Sequence, residues 1–277
     1  MGENLAPIPP ARHNQLMYAS ALSRRRITPS ASVAPAVAGL FVDERDCDMP
    51  GVSLPRPRIH LVVRFGPSTR SGLDVHAMGM RQTVHRKFIH SGQRTIAARL
   101  HLNTPEAVLG APAAAIAGRI VPLEDLWGEA SASRLCQRLA DAHDTADAAA
   151  VLQRAIAERL VSAGTPSMRA ELALRAAASL SRSNHVNAVA AALGVSERHL
   201  RRTFHDAFGI SPKTFAKLAR FRRALRAARA ESPANWAGLA LDSGYYDQAH
   251  LITEFRAIAN TTPSALLDEL RTALSIG

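Results

Sequence analysis

Two short stretches carry the side chains with the most chemical content. Residues 196 to 204 read SERHLRRTF, and residues 247 to 255 read DQAHLITEF. In the first, Glu197, Arg198, Arg201 and Arg202 project from or flank one helical face. In the second, the matching positions hold Gln248, Ala249, His250 and Thr253. Arginine sets two donors against paired acceptors such as guanine O6 and N7, or grips a phosphate. Glutamine pairs bidentately with adenine, and threonine meets a thymine methyl or a phosphate. The implied chemistry is recognition of a nucleic acid, by a charged reader in the first stretch and a nearly neutral one in the second. An ordinary solvated helix face is the alternative, but such a face mixes signs and the first stretch is mostly positive. Ser196, Lys213 and Thr262 are further candidates for phosphate contact.

Other chemistry finds little support. A Gly-rich phosphate loop and a Gly-x-Ser-x-Gly elbow are both missing from the sequence. His60, His76, His85 and His90 form neither an HxH pair nor an i, i+4 pair with a nearby glutamate, the spacings a metal site would use. We therefore expect no catalytic residue, no metal and no cofactor.

The two stretches share a skeleton that would position those side chains. A small polar residue, Ser196 or Asp247, is suited to cap a helix. Four residues on comes Leu200 or Leu251, one turn later Phe204 or Phe255, and eight residues beyond that Pro212 or Pro263 as a stop. Upstream, Ala190 and Gly194 lie one turn apart, as do Ala240 and Gly244. The alanine lets a second helix cross closely, and the glycine accepts the positive φ of a sharp turn. This is a helix-turn-helix plan, whose second helix enters the major groove by its N-terminal end. One such match is weak; two, each with proline at the same distance, are specific.

Between the units, PKTFAKLARFRRALRAARA places Phe215, Leu218, Phe221 or Ala224, and Leu225 at helical spacing. A rod of that kind spans roughly 25–30 Å. Two heads held by it suit successive major grooves about 34 Å apart, with a bend closing the difference. From Arg198 through Arg229 there are ten Lys/Arg residues against one acid, Asp206. The basic excess is thus concentrated where counterion release would need it.

These residues resemble the AraC/XylS family of transcriptional regulators. The resemblance rests on VAAALGVSERHLRRTFHDAFGISPKTF and AGLALDSGYYDQAHLITEFRAIANTTPSAL, and covers about residues 167–270. It implies two helix-turn-helix units joined by a long helix, with base-edge contacts on Arg198, Arg201 and Arg202 in one unit and Gln248, Ala249 and Thr253 in the other. Two departures stand out. Asn260 occupies a position where the family commonly has glycine, and Arg220 to Arg223 read RFRR where a plainer helix start is usual. DNA-alkylation repair proteins carry a similar domain with a cysteine-rich zinc site, which the two cysteines here cannot supply. PLEDLWG followed by SRLCQRLADA is similar to the N-terminal domain of some AraC-like regulators, without implying an effector.

The rest of the chain completes the plan. The formal charge of +11 over 277 residues points to a polyanionic partner. Cys47 and Cys136 form no multi-bridge framework, and a reducing cytoplasm is the simpler setting. After a polar, proline-bearing start, residues 31–102 have strand texture in RIHLVVRF, LDVHAMGM and RTIAARLHL, with Gly51, Pro55, Gly66, Gly72 and HSGQR as turns. Later segments have helical spacing, among them TADAAAVLQRAIAERLVSAG with a core stripe of Val151, Leu152, Ala155, Ile156 and Leu160. Trp127 is expected to pack against neighbouring helices, with a place in a ligand pocket as the alternative. SAGTPS, residues 162–167, is the best linker.

The expected fold is therefore an α+β N-terminal domain, residues 1–166, followed by an all-α C-terminal domain, residues 167–277, with two helix-turn-helix units joined by a long helix. The expected function is sequence-specific regulation of transcription in the cytoplasm, controlled through the N-terminal domain by a small molecule, dimerisation or both. Double-stranded promoter DNA and an unidentified effector are the partners expected first, with RNA polymerase and a second copy after them, and no membrane. The competing readings are an enzyme or repair-type protein tethered to DNA by its C-terminal domain, and a non-specific architectural binder.

Overall fold

The computed structural model describes residues 22–55, 57–69, 71–161, 168–182, 185–231 and 233–275. The linker expected at 162–167 and the polar start of the chain lie outside them.

The N-terminal region is built on two antiparallel sheets. Its strands are β1 (Leu22–Ile27), β2 (Val37–Arg45), β3 (Met49–Ser53), β4 (His60–Phe65), β5 (Leu73–Met78), β6 (His85–Ile89), β7 (Arg94–Leu100) and β8 (Ile120–Pro122). Six of them form one sheet in the order β1-β2-β7-β4-β5-β8, and β3 pairs with β6 as a separate ribbon. The register of β7 follows from its pattern, with Ile96, Ala98 and Leu100 on the buried face and Thr95, Ala97 and Arg99 between them. Gly66 and Gly72 take positive φ in the hairpin between β4 and β5, and Gly92 does so in the turn that leads into β7, as their placement suggested. Gly51 does not: it lies within β3, opposite Lys87. A side chain there would run into Ile89 at 2.6 Å, so packing rather than turning calls for glycine.

Helices α1 (Pro105–Leu109), α2 (Ala113–Ile116), α3 (Glu124–Trp127), α4 (Glu129–Ala140) and α5 (Thr145–Val161) cover the sheet. Val151, Leu152, Ala155 and Ile156 of α5 join the main core, with Leu160 packed partly buried against it. Trp127 donates Nε1–H to the Val108 carbonyl at 3.0 Å, under the Arg159 guanidinium. It works as a strut, as expected. His76 is buried in a network in which Asp74 bonds both its ring and Arg64. Burial would raise the Asp74 pKa, but those two partners hold it below the ordinary carboxylate value.

The C-terminal region is helical: α6 (Met168–Leu180), α7 (Val186–Ala192), α8 (Glu197–Phe208), α9 (Pro212–Ala230), α10 (Trp236–Asp242), α11 (Gln248–Ala259) and α12 (Pro263–Ser275). One hydrophobic core runs from Val33 to Leu270 through both regions. Among the described residues, no helix is long and apolar enough to cross a membrane, and no group of three His, Cys, Asp or Glu could hold a metal ion.

Candidate nucleic-acid interface

Each reading helix begins on a side-chain cap. The Ser196 hydroxyl accepts from His199 N–H at 3.2 Å to open α8, and the Asp247 carboxylate accepts from His250 N–H at 2.7 Å to open α11. The preceding turns pass through Gly194 (φ 69°) and Gly244 (φ 83°). Leu200, Phe204, Leu251 and Phe255 are fully buried, so the register of both helices is fixed from within. The two prolines open the next helices rather than closing these: Pro212 starts α9 and Pro263 starts α12. The first helical position has a spare N–H in any case, and the ring presets φ there. At 19 residues, α9 is about 28 Å long.

With the knobs inward, the outward set is the one expected. Arg198, Arg201 and Arg202 are exposed on α8, and Gln248, Ala249, His250 and Thr253 on α11. The structure adds internal bonds within these sets. Glu197 is half-buried and pairs with Arg201 at 2.5 Å one turn away, so Arg201 is held along the helix by a carboxylate. The His250 ring nitrogen Nδ1 accepts from Tyr246 N–H at 3.3 Å, and the ring stands edge-on to Tyr245, which ties His250 back to its own turn. Ser196 is exposed at the head of α8. Lys213 is exposed in the first turn of α9, and Thr262 caps α12 by accepting from Ala265 N–H at 3.3 Å.

Two features escaped the sequence reading. Tyr246 is 86% exposed beside the Asp247 cap, next to the buried Tyr245, and adds an aromatic face to the entrance of α11. The arginines of the rod also divide by role. Arg220 makes a bidentate pair with Glu254, which is buried on the inner face of α11, and lies over the Tyr245 ring. Burial would lower the Arg220 pKa, yet the Glu254 carboxylate holds it above its ordinary value. Arg223 donates to the carbonyls of Ser243 and Ser181, bridging the second unit to the end of α6. Arg220 and Arg223 of the unusual RFRR sequence thus brace the second unit.

The first unit is anchored to α9 differently. Phe204, Phe208 and Phe215 form an aromatic cluster with centroids 4.6, 5.3 and 6.4 Å apart. Phe221 meets Phe255 at 4.5 Å in the second unit, with Trp236 edge-on to Phe255.

The family described as "Helix-turn-helix domain" matches residues 189–269, from the middle of α7 into α12. The helical region carries a helix-turn-helix domain of the AraC type. No curated protein matches the chain by sequence. Among solved structures, ToxT from Vibrio cholerae is similar in outline. An apo ToxT variant is 11% identical, over 81% of this chain and 98% of that one, at a TM-score of 0.38. A second ToxT structure is 9% identical over 89% and 98%, at 0.39. ToxT bound to an unsaturated fatty acid is 9% identical over 81% and 96%, at 0.36.

The geometry of the two helix ends explains the departure at Asn260. The first reading helix ends at Gly209 (φ 70°), where an added side chain would lie 2.5 Å from the Ala117 methyl. The second ends at Asn260, which takes φ 53° but is exposed. Asparagine tolerates the left-handed conformation, so glycine is demanded only where a neighbour presses on the turn.

Proposed function

We propose that this chain is a DNA-binding transcriptional regulator that reads two adjacent major-groove segments. Two helices of equal length, each capped at its N-terminus and each presenting a different polar face, carry this reading. Residues 1–166 form the controlling domain and residues 167–277 the reading domain, acting in the cytoplasm. Arg198, Arg201 and Arg202 contact base edges in one segment, and Gln248, Ala249 and Thr253 in the other. Glu197 orients Arg201, and Ser196, Lys213 and Thr262 contact phosphate. Promoter DNA, a small-molecule effector, a second copy and RNA polymerase are the partners.

Selection of bound duplexes from a random pool, at near-physiological salt, tests the reading. Enrichment of two short elements about one helical turn apart is the expected result. Binding that only fades as salt rises, with nothing enriched, would reduce the protein to a non-specific binder.

For the effector we favour the place where the two regions meet. A cavity of about 440 Å³ there is lined by Arg58 and Leu102 from one side and by Leu174, Phe215, Arg222 and Arg226 from the other. A ligand filling it touches both regions at once and so biases how they sit together. Thermal-shift screening of the full chain against small organic acids should give hits weakened by Arg226→Gln. Hits indifferent to that change would place the effector elsewhere.

A further inference from the structure

The N-terminal region touches both reading helices, and it touches each at its C-terminal end. At α8, the backbone of residues 113–117 presses against Gly209, with the Ala117 methyl and Ala114 Cα within 3 Å of where a side chain would begin. At α11, Val84 N–H donates to the Ile258 carbonyl at 2.8 Å, and Arg86 Nη1 donates to the Ala259 carbonyl at 3.0 Å. The last carbonyls of a helix have no partner within it, so the N-terminal region supplies the C-terminal cap of the second reading helix. A guanidinium is also the right charge for that end of the helix dipole. The same Arg86 makes a bidentate pair with Glu269 of α12, at 2.7 and 2.8 Å.

These two points of contact belong to one rigid piece. Gly79 N–H donates to the Arg119 carbonyl at 2.9 Å and Gly118 N–H to the Met80 carbonyl at 3.0 Å. Gly79 also lies so close to Ile116 that any side chain would collide with its carbonyl. The segment leading to Val84 and Arg86 is therefore stapled to the segment that meets Gly209. The reading helices are thus joined inside the helical region, by the rod α9 with its Arg220–Glu254 pair and the Arg223 bridge to the end of α6, and outside it by this platform. The internal contacts hold the second head along its inner face, and the platform holds the far end of each reading helix.

We propose that Arg86 is a positioning residue for DNA reading, and that the platform it completes sets the spacing between the two reading helices and hence the length of DNA between the two elements the protein accepts. This rests on the double-reader function proposed above. Each base pair added between the elements turns the second by about 36° around the duplex and moves it about 3.4 Å along it. A pair of heads held at both ends cannot follow both changes, whereas heads that lose the platform accommodate more of them.

The test uses the full chain and duplexes carrying the selected elements at their best separation and at one and two base pairs more or less. The wild type should bind the altered spacings at least about tenfold more weakly, a penalty like that of a mismatched base pair. Arg86→Ala should bring the neighbouring spacings to within about threefold of the best one. Binding to a duplex with only one element should be unchanged, which an unfolded variant would not achieve. Arg86→Glu should broaden the profile at least as much, because a carboxylate cannot donate to the Ala259 carbonyl and has the wrong charge for that helix end, whereas Arg86→Lys should keep it narrower than Arg86→Ala. A spacing profile for Arg86→Ala as sharp as the wild type's would overturn the proposal, as would an Arg86→Lys profile no narrower than that of Arg86→Ala. If the wild type binds no paired site at all, the double-reader function falls and this inference with it.

Discussion

The two helix-turn-helix units share their caps, knobs and turns, yet they are fixed to the rod between them by different means. The first is held by Phe204, Phe208 and Phe215, an aromatic cluster without a polar member. The second adds a buried ion pair, Arg220 with Glu254, to the Phe221–Phe255 contact. Aromatic packing gains free energy in proportion to the area removed from water and tolerates small rotations. A buried bidentate pair is weak evidence for stability because both charges lose water, but it is exacting about geometry. The unit with the neutral reading face is thus also the one whose orientation on the rod is most narrowly specified.

That contrast can be broken in order of size. Phe204→Ala should cost about 3–5 kcal/mol of stability, measured by denaturant unfolding, and no single partner change recovers it. Glu254→Ala should cost about 3–5 kcal/mol as well, because it strands the Arg220 charge. Replacing both partners, Arg220→Met with Glu254→Leu, should be neutral or stabilising by up to about 4 kcal/mol, while the spacing of selected DNA elements broadens. If the double replacement is as unstable as the single one, the ion pair is a stabilising element in its own right and the contrast fails.

Smaller effects come from the caps. Ser196→Ala should cost about 1 kcal/mol. Asp247→Ala should cost that plus about 0.3–1 kcal/mol, since its carboxylate also favours the positive end of the helix dipole. Equal losses in thermal unfolding would mean the two caps work by the hydrogen bond alone.

Much of the helical region was legible in the sequence because its determinants are local. Ser196, Leu200 and Phe204 lie within a few turns of one another, so a cap and a periodic stripe suffice to place α8. Pro212 and Pro263 open helices instead of stopping them, because the same residue type starts a helix as readily as it prevents one continuing. The Arg220–Glu254 pair joins residues 34 apart, and nothing in either neighbourhood announces the other.

The N-terminal region was harder. Strand β3 contains Pro50 and Gly51, both turn formers, and β6 buries only Ile89. Neither has the alternating apolar residue types of a half-buried strand; this ribbon packs against α12 and the end of α11. The contacts that make it a platform, Val84 with Ile258 and Arg86 with Glu269, span more than 170 residues. Periodicity cannot report partners so distant.

If two unlike readers address two different DNA elements, matched selections separate their contributions. The full chain, Arg201→Ala and Gln248→Ala would each be used to select duplexes from the same random pool. Arg201→Ala should relax preference at positions within one element only, and Gln248→Ala at positions within the other, each by about 1–3 kcal/mol per affected base. Uniform weakening across all sequences, or loss at the same positions in both variants, would contradict it.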